Sequence, residues 1–280
     1  MARVVNDLIR EDVPRIDKND TLYHAFKLIE KSGIDKVIVL ENRIITPGKE
    51  VKTLAGIMTS RDIVLKLATQ RLSRTTPGRL HVASFMNSPA ITIGPDKSVL
   101  EAANLMISKK IGILPVVSGG NVVGAILKTD IARLLEQDDT EVRTIMDASP
   151  VLARTTDRVV KVRQDMLATD TSFVPVLDEN DELVGYVTIY DLAYAFMKFE
   201  DIVPSKYKKE RITHLIIEDI MRFRPPKLRL TDTVSQAVAE IMKKDSRGAV
   251  VIDEIGKVAG VVTIDILLKH LVTNKQELLS

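Results

Sequence analysis

The chain repeats itself four times in a fixed phase, and this regularity limits its fold more than any other feature. Short apolar stretches end at Met86, Met146 and Met221, and Ile9 takes the same place in a further copy. Helical patterns begin 13 residues after these four marker positions, at Leu22, Val99, Val159 and Val234. Because a fixed-period repeat is typical of small stacked units, we predict an array of four similar folding units.

Each copy contains the same order of predicted elements. Apolar residues spaced three and four apart predict an amphipathic helix, as in Val99–Met106. A run rich in β-branched residues follows each helix and favours a strand. These runs are 37–40, 113–117, 173–177 and 249–252. A polar turn and a second strand come next, so the repeating unit is predicted to be strand, helix, strand, strand and helix.

The second strand of each copy passes through a glycine into a closing helix, in the pattern Gly-apolar-apolar-Thr-x-x-Asp or a variant of it. We call these stretches the end motifs; they are Gly56–Asp62, Gly124–Asp130, Gly185–Asp191 and Gly260–Ile266. The glycine lies 38 or 39 residues after the marker in three copies and 47 residues after it in the first. The additional residues surround Arg43–Lys49, where Pro-Gly marks a turn, and predict a longer hairpin.

The repeated unit with its end motif resembles the CBS domain, and the resemblance covers nearly the whole chain. The expected repeats are 1–68, 82–138, 142–200 and 215–273. The resemblance implies an α/β (α+β) fold in which repeats one and two, and repeats three and four, pair into two Bateman modules. Clefts in such modules commonly hold adenosine nucleotides. Four copies without a fused catalytic domain resemble the gamma subunit of AMP-activated protein kinase and the stand-alone CBS proteins of archaea.

The end motif also suggests a ligand site on chemical grounds. A carboxylate in the first turn of a helix can accept hydrogen bonds from the two adjacent hydroxyls of a ribose. A threonine hydroxyl and the free N–H groups of the helix suit a phosphate. The alternative is simple helix capping, which uses the same residue types. Recurrence after a strand glycine at a fixed phase favours the ligand site, since capping alone does not keep a whole unit in register.

The first and third copies carry the complete motif and are the strongest candidate sites. Their pairs are Thr59 with Asp62 and Thr188 with Asp191. The second copy keeps Asp130 and lacks the hydroxyl, so ribose contact is expected to survive better than phosphate contact. Ribose is therefore expected at Asp62, Asp191 and Asp130.

The fourth copy departs most from the motif. It keeps Thr263, but Ile266 stands at the position of the acid, and Asp265 lies one residue early. Since one residue turns a helical side chain by about 100°, Asp265 is expected to point away from the cleft. We therefore expect fewer than four ligands per chain.

Phosphate groups also need cations. Arg61 lies inside the first end motif, and Lys36 and Lys110 precede strands at a position where proteins similar to this family often place basic residues. Arg247 is the nearest equivalent in the fourth copy. Each of these side chains alone is equally consistent with a solvated surface charge. The expected phosphate ligands are Thr59, Thr188, Arg61, Lys36, Lys110 and Arg247.

Composition argues against catalysis and against a bilayer. The chain has no cysteine, and its four histidines are scattered, so neither thiolate chemistry nor a zinc site is expected. Phosphate-binding loops and nucleophile elbows are missing from the sequence. No apolar run approaches the roughly 18 residues that span a membrane. We expect a cytoplasmic protein without catalytic residues, metal or required cofactor.

The resulting hypothesis is a regulatory protein that binds AMP, ADP or ATP and signals to an unknown protein partner. S-adenosylmethionine is an alternative ligand, because its ribose also suits the acids. A nucleic-acid-associated regulator is the other alternative, with basic linkers at 69–81 and 206–209 as its contacts. The net charge of +2 argues against it. The two modules are expected to pack within one chain or to form a homodimer.

Overall fold

A computed structural model of the chain describes residues 3–46, 49–67, 77–202 and 214–274. The helices are α1 Leu22–Ser32, α2 Ser60–Leu67, α3 Val99–Ser108, α4 Lys128–Ala132, α5 Val159–Ala168, α6 Ile189–Ile202, α7 Val234–Lys244 and α8 Ile264–Asn274. The strands are β1 Arg15–Asp17, β2 Lys36–Thr46, β3 Lys49–Thr59, β4 Ile113–Ser118, β5 Asn121–Leu127, β6 Ala153–Arg154, β7 Phe173–Leu177, β8 Leu183–Thr188, β9 Arg222–Phe223, β10 Lys227–Arg229, β11 Gly248–Ile252 and β12 Val258–Thr263. The predicted order of helix, strand, strand and helix is present in all four repeats. The strand before the first helix is β1, β6 and β10 in repeats one, three and four, and in repeat two it is a single bridge between Ile93 and Val116.

Helix α1 shows how local sequence fixes the ends of an element. The Thr21 hydroxyl accepts a hydrogen bond from the backbone N–H of His24, and the helix ends at Gly33, whose φ of 70° is left-handed. Both are preferred capping arrangements. The face between these ends carries the buried side chains Leu22, Phe26 and Ile29. This periodic apolar face is the pattern that predicted the helix.

The first repeat has the longest hairpin, as its additional residues predict. Strands β2 and β3 have 11 residues each, whereas β4 and β5 have 6 and 7. Pairing between β2 and β3 extends from Lys36 opposite Thr59 to Thr46 opposite Lys49. The predicted turn at Pro47 and Gly48 lies outside the described residues.

The stretch around each marker leaves its own repeat and packs on the other member of the pair. We call residues 5–10, 82–87, 142–147 and 217–222 the first to fourth marker segments. Each contains a short 3-10 turn. The cross-repeat backbone pairs are Arg10 with Ala125, Asn87 with Ile57, Asp147 with Val261 and Arg222 with Tyr186. Repeats one and two therefore exchange marker segments, and repeats three and four do the same.

This exchange explains the glycine of the end motif. A Cβ atom built on Gly56 would lie 2.5 Å from the carbonyl oxygen of Asn87, and one built on Gly260 would lie 2.5 Å from that of Asp147. Atoms at such distances clash, so the crossing backbone requires a residue without a side chain at these positions.

Within each pair the two repeats also pack through their sheets. In the first pair the apolar contact includes Ile38, Ile57 and Leu127. In the second pair Phe173 and Tyr186 pack with Val250 and Val261. These two contacts are the apolar seams of the two predicted Bateman modules.

The two modules pack on each other through their helices. One core combines helices of repeats one and three, and a second combines helices of repeats two and four. Phe26 of α1 stacks with Tyr190 of α6, with ring centroids 6.3 Å apart. The repeats thus contact one another in the cyclic order one, two, four and three, and the ring closes within a single chain. None of the helices in the described ranges has the length and apolarity to cross a bilayer.

Candidate functional site

The first cleft, beside the end motif of repeat one, brings most of the predicted phosphate ligands together. Its cavity has a volume of about 280 Å³. The predicted residues that line it are Thr59, Asp62, Arg61, Lys36, Lys110 and Arg247. They come from repeats one, two and four, so closure of the ring assembles the site.

Asp62 uses one carboxylate oxygen to cap helix α2 and the other to accept a hydrogen bond from Asn87. Its Oδ2 accepts hydrogen bonds from the backbone N–H and the hydroxyl of Thr59, each at 2.7 Å, and so caps helix α2. Its Oδ1 accepts a hydrogen bond of 2.6 Å from the side-chain amide of Asn87. The partner of this oxygen is therefore a neutral amide and not a cation.

Two cations of the first cleft, Arg247 and Lys36, share the carboxylate of Asp35 in repeat one. Arg247 lies 2.8 Å from Asp35, which also pairs with Lys36. Burial by itself raises the pKa of Asp35, but Arg247 and Lys36 outweigh burial and lower that pKa to about 2. Burial, followed by the charge of Arg247, lowers the pKa of Lys36. The buried triad therefore holds its cations at the inner end of the cleft.

Two further cations point toward the same centre. Arg61 lies 3.1 Å from the Asp170 carboxylate and donates to the carbonyl of Thr171 at 3.0 Å, both in repeat three. Lys128, which the sequence analysis missed, lines the cavity and pairs with Asp265 of repeat four. Lys128 opens helix α4 directly after Leu127, which packs with Ile57 of the first end motif, and closure of the ring brings it to Asp265.

The remaining wall of the first cleft is apolar. It includes Ile57, Pro89, Ala90, Ile91, Ile111, Ile113 and Leu127. The residues from 89 to 91 directly follow the second marker segment, so the same crossing that brings Asn87 to Asp62 also builds this wall. The cavity is therefore lined by an apolar surface, by five cations and by the acids Asp35, Asp62, Asp170 and Asp265.

In the third cleft the end motif repeats the geometry of the first, but a guanidinium occupies the exposed side of the acid. Asp191 Oδ2 accepts from the backbone N–H and the hydroxyl of Thr188 at 2.8 and 2.7 Å. Its Oδ1 accepts from Arg222 Nε at 2.7 Å. Arg222 also lies over the rings of Tyr186 and Tyr190. The adjoining cavity of about 210 Å³ is lined by Thr188 and Arg222 and does not include Asp191.

The second cleft has a weaker version of the same contact. Asp130 Oδ2 accepts from the backbone N–H of Leu127 at 2.9 Å, and Arg10 Nη1 lies 3.5 Å from Oδ1. Burial raises the pKa of Asp130. Asp130 lines a cavity separate from the first cleft, together with Arg3 and Arg133.

The fourth cleft, beside Thr263 and Ile266, is a cavity of about 480 Å³. The Thr263 hydroxyl accepts from the backbone N–H of Ile266 at 3.4 Å. Asp265 lines this cavity as well as the first, and pairs with Lys128. The expectation that Asp265 points away from the cleft is therefore wrong, because the side chain follows the helix start toward the centre of the ring, as Arg61 does in repeat one.

The residue directly after each marker lies at a cleft in all four repeats, and the sequence analysis did not single it out. In three clefts the residue that follows the marker bonds to the acid at the last position of the partner's end motif, and in the fourth it has the same backbone register. These residues are Arg10, Asn87, Asp147 and Arg222. All four are polar at a fixed phase, and that regularity was the available signal. In the described residues no group of three or more His, Asp or Glu side chains is arranged to hold a metal ion.

Comparison with known families identifies the repeats. The family model described as the CBS domain matches residues 5–69, 82–137, 142–198 and 217–273. An uncharacterised protein of Methanocaldococcus jannaschii, MJ1225, is 23% identical over 209 residues, which are 69% of each chain. L-aspartate semialdehyde sulfurtransferase of the same organism is 34% identical over 116 residues, or 41% of this chain. Those residues are 23% of the enzyme, so the chain spans about a quarter of it.

Solved structures show the same fold at low sequence identity. The crystal structure of MJ1225, described as a proposed archaeal homologue of g-AMPK, superposes with a TM-score of 0.77 at 18% identity. An uncharacterised conserved protein of Pyrococcus horikoshii gives a TM-score of 0.61 at 17% identity. Each match covers 96% of this chain and 99% of the other.

Proposed function

The chain is a member of the CBS-domain family with four repeats, and from this premise we propose that it is a non-catalytic regulatory protein that binds AMP, ADP or ATP in the first cleft. One observation carries the proposal: an acid, an apolar wall and several cations line a single cavity. These three surfaces match the ribose, the base and the phosphates of a nucleotide.

The ribose is assigned to Asp62. Its Oδ1 now accepts from Asn87, a neutral amide that can turn away at little electrostatic cost. Hydrogen bonds from ribose hydroxyls to a carboxylate are charge-assisted and contribute about 1.5–3 kcal/mol. The base would lie against the apolar wall, which includes Ile57, Pro89 and Ile91.

The phosphates are assigned to the inner end of the cleft. Arg61, Lys110, Lys128 and Arg247 line it, and their carboxylate partners leave donor positions on each cation for a ligand. The same charges argue against S-adenosylmethionine in this cleft, because its sulfonium is positive. The order of affinity among AMP, ADP and ATP then reports how many cations the phosphate chain reaches.

The third and second clefts are assigned lower affinity for the same ligand. Asp191 and Asp130 occupy the ribose positions, but Arg222 and Arg10 contact the oxygen that a ribose would use. Binding there has to displace a guanidinium. The proposal therefore ranks the first cleft above the third and the second.

Regulation follows from the position of the first cleft at the meeting point of four repeats. A ligand that contacts Arg61 and Lys128 competes with their bonds to Asp170 and Asp265 in the second module. A bound nucleotide would thereby change the packing between modules, and a protein partner could read the altered surface. Such a protein would act in the cytoplasm, where adenine nucleotides are abundant.

Calorimetric titration with AMP, ADP, ATP and S-adenosylmethionine tests this proposal. The variant Asp62→Ala should weaken AMP binding by about 10- to 100-fold, and Asp62→Ala combined with Asp191→Ala should weaken it further. Glu254→Ala, an exposed acid outside the clefts, is the control. Thermal unfolding of each variant checks that loss of the helix cap has not unfolded the protein. Unchanged binding by a folded Asp62→Ala variant would refute the site.

The nucleic-acid alternative depends on the basic linkers at 69–81 and 206–209, which lie outside the described residues except for 77–81. It is distinguished by oligonucleotide binding whose affinity falls steeply with salt concentration. The small net charge of +2 favours the nucleotide proposal over this one.

A further inference from the structure

The hairpin of repeat one extends beyond its sheet as a two-stranded ribbon. Strand β1 pairs with β2 only from Ile38 to Leu40, so from Glu41 onward β3 is the one strand paired with β2 in the described residues. We call residues 41–46 and 49–54 the ribbon. Its side chains at 42–44, 50 and 52 are exposed, and that of Ile44 is 73% exposed. Because two strands alone are only marginally stable in water, a further strand would stabilise the ribbon.

The outer edge of β3 is the edge that a further strand can use. On the β2 side, the backbone N–H of Lys18 donates to the carbonyl of Leu40, and Lys18 Nζ donates to Glu41 at 2.5 Å, so the base of that edge is covered. Along β3, Ile57 pairs with Asn87. In the described part of the chain, no strand or bridge other than β2 pairs with residues 50–55. Such a row of unpaired backbone groups is a template for pairing with another chain.

The sequence of this edge is complementary to itself. When two copies of one strand pair antiparallel about a two-fold axis, residues oppose each other symmetrically around the central residue. With Val51 at the centre, Glu50 lies opposite Lys52 of the second copy, and Lys52 lies opposite Glu50 of the second copy. Side chains directly opposite share a face of the sheet, so these opposite charges attract. The two Val51 side chains oppose each other on the other face as an apolar β-branched pair.

Neighbouring registers lack this complementarity. If the axis moves by one residue to Glu50, two glutamates oppose each other, and if it moves to Lys52, two lysines do so. Like charges directly opposite are destabilising, so the charges select the register centred on Val51. Within the ribbon Arg43 pairs with Glu41 at 3.4 Å, whereas Glu50 and Lys52 form no ion pair among the described residues. Both charges are therefore available to a second copy.

We infer that the β3 edge of the ribbon is a dimerisation surface, at which two copies of the chain join their ribbons into a four-stranded antiparallel sheet centred on Val51. The inference does not depend on the proposed function, because the ribbon contributes no residue to the acids and cations of the first cleft. One pair of strands is a small interface, so the dimer is expected to dissociate as the protein is diluted.

Sedimentation equilibrium of the full chain, measured up to its solubility limit, tests this surface. The wild type should show a monomer–dimer equilibrium. Lys52→Glu places a carboxylate opposite Glu50 in both charge pairs and should weaken dimerisation by at least about tenfold. Glu50→Lys should do the same through opposed ammonium groups. The double variant Glu50→Lys with Lys52→Glu exchanges the two charges and should restore the dissociation constant of the wild type.

Glu254→Lys, a charge reversal at an exposed turn outside the ribbon, is the matched control and should dimerise like the wild type. Restoration by the double variant also shows that the single variants have not simply unfolded. A wild type that stays monomeric, a dimer that neither single reversal weakens, or a double variant that does not recover would overturn the inference.

A cross-linking measurement tests the register. The chain has no cysteine, so Val51→Cys introduces its one thiol. Since this residue lies opposite itself, mild oxidation should yield a disulfide-linked dimer. Glu254→Cys should cross-link much more slowly, and equal rates would contradict the register. AMP titration separates this inference from the proposed function: Lys52→Glu should bind AMP as the wild type does, and an Asp62→Ala chain should still dimerise.

Discussion

Arg222 Nε donates to Asp191 Oδ1 at 2.7 Å, and this bond occupies the carboxylate oxygen that corresponds to the Asp62 oxygen bonded to Asn87. The two end motifs are otherwise alike in their hydrogen bonds. A residue from the neighbouring repeat therefore distinguishes two clefts that the motif alone makes equivalent.

Removal of that guanidinium should open the third cleft. We expect Arg222→Ala to add one AMP site per chain or to strengthen an existing weak one, because Asp191 then has an oxygen free for ribose. Calorimetric stoichiometry measures this change. Arg154→Ala removes an exposed arginine of repeat three, paired with Asp181, and should leave the stoichiometry as in wild type. If both variants bind the same number of ligands, Arg222 is not what prevents binding at Asp191.

The triad of Asp35, Lys36 and Arg247 should contribute acid-sensitive stability. The pKa of Asp35 is lowered to about 2, below the ordinary value of 3.8. A carboxyl with a lowered pKa stabilises the fold above its unfolded pKa and loses that contribution as the pH falls. About 2 kcal/mol should therefore be lost between roughly pH 4 and pH 2, measured as the free energy of unfolding across that range.

Asp35→Asn should remove the same contribution at neutral pH. It leaves two buried cations without their carboxylate, which costs about 3 kcal/mol or more. The exposed pair of Arg154 and Asp181 supplies the control, and Asp181→Asn should change stability by less than about 0.5 kcal/mol. Equal stability of the two variants would show that the triad does not stabilise the fold.

The crossing of marker segments should make Gly56 intolerant of a methyl group. Gly56→Ala places a Cβ atom 2.5 Å from the carbonyl oxygen of Asn87 and should destabilise the protein by about 1–3 kcal/mol. It should also weaken AMP binding, because Asn87 and the apolar wall move with the segment. Gly78→Ala, where no atom lies within 4 Å of the added carbon, is the matched control for urea unfolding. Similar midpoints for the two variants would contradict the steric argument.

An arginine of the second module caps the C-terminal end of a helix in the first module. Arg163 of α5 donates to the carbonyls of Val64 and Leu65 in α2, at 2.8 and 3.1 Å. These carbonyls lie in the last turn of α2, where a positive charge is favourable. Arg163→Ala should cost about 1–2 kcal/mol in unfolding free energy. Lys161→Ala, on the exposed face of the same helix, should cost less than half as much, and an equal loss would argue against the cap.

Much of the fold could be predicted from the sequence because its signals are local and repeated. The helical period at Val99 and the β-branched run at Ile113 each act over a few residues, and four copies reinforce one another. The first site was predictable for the same reason, since Thr59 and Asp62 lie within one motif. Capping and ligand binding could not be separated in sequence. In the structure Asp62 Oδ2 caps helix α2, and Oδ1 accepts from Asn87.

The remainder of the site depends on long-range packing that a repeat register does not reveal. Arg222 lies 31 residues after Asp191, and only the exchange of marker segments brings them together. Lys128 and Asp265 are 137 residues apart and meet because the ring closes. A sequence alignment of the four copies displays each of these positions, but it does not show which copy faces which.

The exchange of marker segments also determines how such a chain can be divided or enlarged. A single repeat cut from it would leave behind the segment that covers its strand edge and would carry away the segment that covers its neighbour's. An uncovered strand edge is open to pairing with other chains. A gene duplication or domain fusion that keeps these strand edges covered has to transfer two paired repeats together. The pair is therefore the smallest unit that can be transferred to another protein.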